Sequence, residues 1–143
     1  MNTDLENNQI ASFYTGAMAD AGSYSLKEIP QGEIDYVVIS PNDPGAMRRL
    51  TDECVELGIP YLFDPSQQVA RNPHEDLRAG VEHAHAVFCN EYEFDLLVKH
   101  TGFSAREIES LVRLLVITRG TKGATIKSDE RELYRLGYGG GCS

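Results

Sequence analysis

Four short apolar runs, at 34–40, 59–63, 86–89 and 114–118, alternate with segments whose apolar residues recur at helical spacing. Such alternation predicts βαβ units with right-handed crossovers, and hence a mostly parallel, twisted sheet flanked by helices. The punctuation agrees. Asn42-Asp43-Pro44 supplies a cap and a first-turn proline, Met47, Leu50, Cys54, Val55 and Leu57 keep one helical face, and Gly58 stops the helix before the next run. A polar passage after Asp64-Pro65-Ser66 leads to a helix over 74–82. Two more helices are predicted, at 91–100 and 104–113, the latter with Ser104 and Glu107 in reciprocal capping positions. After Thr118, the turn Gly120-Thr121-Lys122-Gly123 leads to 124–127, which can pair with 132–134 as an edge hairpin.

The stretch on which function turns is Ala86-Val87-Phe88-Cys89-Asn90-Glu91-Tyr92-Glu93-Phe94, where an apolar run stops at an Asn-x-x-Glu step and helical spacing begins. Ligands of open α/β sheets collect at the carboxyl ends of strands, where helix N-termini also lie. Asn90 and Glu93 equally satisfy the pattern of a reciprocal helix cap, and local sequence leaves both readings open.

Composition narrows the partners. With 143 residues the chain can bury one core, and 13 basic against 22 acidic residues, net −9, disfavour a nucleic-acid backbone. Cys54, Cys89 and Cys142 are odd in number and lack metal-ligand spacing, which fits a reducing cytoplasm. No leader-like segment or membrane-length apolar run is present, so a soluble chain is expected. The pair His83 and His85 falls short of a metal ligand set and is assigned no role.

Three features stand in order: Asp64-Pro65 at one strand end, Asn90-x-x-Glu93 at the next, and Thr118-x-Gly120-x-x-Gly123 at the one after. In this order they resemble the ribokinase-like (PfkB) family of carbohydrate and nucleoside kinases, whose fold is Rossmann-like. The early stretch Asn8-Gln9-Ile10-x-x-Phe13-x-x-Gly16-Ala17-Met18 resembles the lid-side strand of the nucleoside (adenosine-type) kinase branch. The resemblance covers about residue 4 to residue 136, as a central-to-C-terminal fragment. Residues 1–136 are thus expected to form a partial ribokinase-like domain, with 1–16 on the lid side and 137–143 as a disordered glycine-rich tail.

The resemblance implies transfer of the γ-phosphoryl group of ATP to a primary hydroxyl of a sugar or nucleoside, with Mg2+. It implies that Asn90 and Glu93 organise the magnesium and its waters, that Thr118, Gly120 and Gly123 border the nucleotide, and that Asp64 lies on the phosphate side. It also implies a homodimer through the lid-side strand. Two departures matter. Arg119 stands where the family usually has an apolar residue, facing either phosphate or solvent. Family members also run to about twice this length, in keeping with larger α/β domains, and carry a Gly-Ala-Gly-Asp motif supplying the catalytic base, whereas no residue after Glu132 is acidic. No catalytic residue is therefore assigned. The alternative is a non-catalytic α/β nucleotide-binding or interaction module; an unrelated flavodoxin-like domain would need a flavin-binding cluster.

Overall fold

The computed structural model describes residues 22–128 throughout and, by backbone alone, three outlying strands: β1 (Asn2–Thr3), β2 (Gln9–Ile10) and β8 (Glu132–Arg135). β1 and β2 pair antiparallel in a small sheet of their own. The predicted strand over 7–14 is described only at β2, and the tail 137–143 lies outside the described residues.

The main sheet has six strands whose spatial order is their chain order: β3 (Val37–Ile39), β4 (Tyr61–Phe63), β5 (Ala86–Asn90), β6 (Leu114–Thr118), β7 (Ala124–Ser128) and β8. β3 to β6 are mutually parallel and β7 and β8 join antiparallel, as the alternation and the hairpin signal predict. The first two strands are shorter than the apolar runs. Ile59 donates its N–H to Cys54 O at 2.9 Å, and Pro60 has no N–H, so the second run enters the ladder only at Tyr61. Val37 pairs with Tyr61, which sets where β3 can begin.

Between the strands lie α1 (Pro44–Leu57), α2 (His74–Glu82), α3 (Glu91–Thr101) and α4 (Ala105–Leu111). Asp43 caps α1 by accepting from Ala46 N at 3.1 Å, and Gly58 ends it in the left-handed region at φ 67°. The predicted extension of the last helix to 113 is cut short because Arg113 N and Leu114 N both donate to His85 O, drawing the chain onto β5.

Each crossover advances one strand in the same direction, so right-handedness puts every described helix on one face. The core records this. Ile39, Phe63, Val87 and Leu115 occupy one register level and, with Tyr61, Cys89 and Ile117, join Met47, Leu77, Leu97 and Ile108 of the helices in one cluster. The alternate residues Leu62, Phe88, Leu114, Val116 and Ile126 are half-buried, and Val38 is 61% exposed. Runs of this kind lead one to expect burial on both faces; here the helix-covered face is buried and the other, Ala86 apart, only partly.

Candidate functional site

Three parallel strands deliver Asp64, Asn90 and Thr118 to the same carboxyl edge. Asp64 follows β4 directly and donates its N–H to Ile39 O at 2.9 Å, so its backbone is held by the neighbouring strand. Asn90 ends β5 and is the register partner of Thr118, which ends β6. In a parallel sheet the strand ends share a side, and the hydrogen-bonded ladder fixes how far apart they emerge.

Glu93 is turned back toward this edge. Its Oε2 accepts from Asn90 N at 2.9 Å while Asn90 Oδ1 accepts from Glu93 N at 2.7 Å, a complete reciprocal cap. The helix-start reading of these two residues is therefore correct as local structure. It also decides what the N-terminus of α3 can attract: its capping groups are engaged, and Glu91 and Glu93 place two carboxylates in the first turn. The second Glu93 oxygen, Oε1, receives from the described residues a long 3.4 Å contact, from Ser66 Oγ.

Ser66 is the residue that sequence reading missed. It sits at φ 44°, a left-handed conformation uncommon for a residue with a Cβ. A five-residue 3-10 segment, Ser66–Ala70, starts there, too short to leave a periodic signal. The Ser66 backbone amide favours the charged Asp64 carboxylate and its hydroxyl points to Glu93, so one residue stands beside both acids. Burial, then the charge of Glu93, raises the proton affinity of the half-buried Asp64, and the Ser66 N–H opposes that rise. Beneath them, burial pushes the Cys89 thiol up to about 12, with further contributions from Glu93 and Asp64, so it remains a thiol.

Past Thr118 the chain makes a 3-10 turn, Gly120–Lys122, closed by Lys122 N to Arg119 O at 3.1 Å and Arg119 N to Gly123 O at 2.7 Å. Gly120 at φ 57° and Gly123 at φ 96° both occupy backbone space that disfavours a side chain, which explains the glycine spacing structurally. Arg119 Nε lies 3.1 Å from Glu91 Oε1, tying this turn to the first turn of α3. The arginine thus faces a carboxylate, and the two residues are 28 apart in the chain, a separation that carries no sequence signal.

Asp64, Ser66, Asn90 and Glu93 form one group, Thr118 adjoins it through the ladder, and Gly120 and Gly123 extend the edge outward. Two carboxylates and an amide oxygen suit a hard cation held largely through water; among the described residues no three His, Cys, Asp or Glu converge as a complete metal site. His85 lies at the opposite, amino edge, its Nδ1 2.8 Å from Tyr36 Oη. No described helix is long and apolar enough to cross a membrane.

The fold has relatives among known proteins. A nucleoside kinase of Methanocaldococcus jannaschii is 28% identical over 131 residues, 92% of this chain and 42% of the relative. The structure of Burkholderia thailandensis nucleoside kinase in complex with inosine superposes with a TM-score of 0.85 at 35% identity, covering 94% of this chain and 43% of that one. The same kinase in complex with ADP-inosine gives 0.84 at 35% identity, over 94% and 41%. The chain thus spans less than half the length of these relatives. The profile of the pfkB family carbohydrate kinases matches residues 2–137, nearly the whole sequence, and the chain belongs to that family.

Proposed function

We propose that this chain is part of a cytoplasmic, ATP-dependent kinase that transfers a γ-phosphoryl group to a primary hydroxyl of a nucleoside or sugar. The observation that carries the reading is the edge itself: Asp64, Asn90 and Thr118 emerge side by side from consecutive parallel strands, with the Glu93 carboxylate facing Ser66 and Asp64. That edge offers negative charge and oxygen donors where a divalent cation would be wanted, and a glycine-bounded turn where a nucleotide could approach the backbone. One relative, seen with inosine and with ADP-inosine bound, supports a nucleoside as the acceptor class.

In this reading Glu93 and Asn90 orient the waters around magnesium and Asp64 adds its charge on the phosphate side. Thr118, Gly120 and Gly123 border the nucleotide. Magnesium, when bound with ATP, supplies neutralisation of the phosphate charge. The cap is compatible with this role, because Glu93 commits Oε2 to the Asn90 N–H and keeps Oε1 for water or cation. The two-stranded β1–β2 sheet is the lid-side element and the contact of a homodimer. Neither nucleic acid nor membrane is a partner in this reading, in line with the net charge of −9.

Glu93→Gln separates the chemistry from the cap. A weakened cap costs about 1 kcal/mol of stability, whereas loss of the carboxylate charge acts on the magnesium-dependent binding of ATP. Calorimetric titration with ATP and magnesium, beside thermal unfolding, should show a large loss of affinity and a small fall in Tm. A fall in Tm with unchanged affinity would reduce Glu93 to a cap.

A further inference from the structure

The carboxyl edge is rich in acid. Asp64, Glu91 and Glu93 stand there, and the N-terminus of α3 has its capping groups engaged. A phosphate chain brought to this edge needs positive charge from the protein as well as from a cation. Arg119 and Lys122 lie on the turn that follows β6, and Lys122 is exposed in the turn itself. Arg119 is better placed, because it directly follows Thr118, the register partner of Asn90, and reaches back to α3.

Its present partner is a loose one. Arg119 Nε lies 3.1 Å from Glu91 Oε1, yet this nitrogen is buried and makes no aligned hydrogen bond. The contact is one of charge. The two side chains are 37% and 56% exposed, a setting in which ion pairs contribute little. A guanidinium binds phosphate oxygens through two parallel N–H donors, a geometry that a single misaligned contact to a carboxylate does not match. Both residues line a cleft of about 400 Å³ with Phe94, Asp95, Ile117 and Thr125, which leaves room beside the pair.

We infer that Arg119 is a phosphate-binding residue held in reserve by Glu91: it exchanges the Glu91 carboxylate for a phosphate group when a nucleotide binds. The inference rests on the kinase reading above and adds to it a residue and a competition. Glu91 then acts against binding and Arg119 for it. A merely structural ion pair would give both residues the same sign.

The test is calorimetric titration of the 143-residue chain with ATP and magnesium, and separately with inorganic tripolyphosphate, near physiological ionic strength. Arg119→Gln should weaken both ligands by about tenfold, the scale of one charge-assisted hydrogen bond. Glu91→Gln should tighten both several-fold, and Arg119→Lys should fall between Arg119→Gln and the wild type. Thermal unfolding of each variant controls for folding. If Arg119→Gln binds as the wild type does, or if both glutamine variants weaken binding alike, the inference is overturned while the kinase reading stands. If the wild-type chain binds neither ligand, both are overturned.

Discussion

Asn90 and Thr118 are partners on the last rung of the β5–β6 ladder. Their side chains leave the sheet at one level, so Asn-x-x-Glu and Thr-x-Gly-x-x-Gly, 28 residues apart in sequence, are neighbours in space. The two motifs form one edge because of that rung, and its geometry depends on the packing beneath it.

Among the described glycines, the packing is tightest at Gly80. A Cβ built there would lie 2.4 Å from the ring of Phe63, which is 1% exposed, and Tyr61 Oη donates to Gly80 O at 2.8 Å. Gly80→Ala gains about 1 kcal/mol of helix propensity but overpacks the core at a cost of about 1–3 kcal/mol. We expect net destabilisation, read as a lower urea midpoint with an unchanged slope. A raised midpoint would mean that Phe63 moves aside easily.

Ser66 offers a test of opposite sign. At φ 44° a residue with a Cβ costs roughly 1–2 kcal/mol relative to the right-handed region. Ser66→Gly should therefore be neutral or stabilising by less than about 1 kcal/mol, after allowance for glycine's larger unfolded-state entropy. Ser66→Val, branched at Cβ, should destabilise clearly. Equal midpoints for the two variants would show that this backbone relaxes in solution.

Acid stability should depend on Glu107. Its carboxylate accepts from Ser104 N at 2.6 Å, and that bond, followed by the Ser104 side chain and the charge of Arg78, holds it below the ordinary glutamate range. A lowered folded value means that the unfolded state binds protons first as pH falls. The stabilisation is fully present above about pH 4.3 and is lost as pH drops through the lower folded value. Glu107→Gln should flatten the stability profile between about pH 5 and pH 3. An unchanged acid limb would count against the cap.

The 143-residue chain alone should not turn over ATP with any nucleoside. Phosphoryl transfer rests on positioning and electrostatic stabilisation together, so a partial site gives no proportionate rate. No residue after Glu132 is acidic, so none there can take the acceptor's proton. Coupled assay of ADP release is the measurement. Nucleoside-dependent release abolished by Glu93→Ala would place a base elsewhere in the chain.

Much of this arrangement was legible in the residues, for identifiable reasons. Asp43-Pro44 and Gly58 bracket α1, and Ser104 with Glu107 opens α4, because caps depend on nearest neighbours in the chain. The same locality made Asn90 and Glu93 visible as a pair. What stayed hidden is non-local or carries no side-chain signature. The positive φ of Ser66 lacks the glycine or asparagine that usually marks it, and the Arg119–Glu91 contact joins two strand ends. The unequal burial of the two sheet faces was hidden too, since Val38, Leu62 and Phe88 are as apolar as residues packed on both faces.

The identity of strand order and chain order has a consequence for how the sheet is made. From β4 to β8 every strand pairs with the one synthesised just before it, and among the described residues no strand is inserted between them. Contacts this near in sequence close cheaply and form early. Chain leaving a ribosome can therefore add each βα unit to an edge already in place, with the β6–β7 turn laid down after β3 to β6. Asp64 and Asn90 would reach their edge before the glycine turn that completes it.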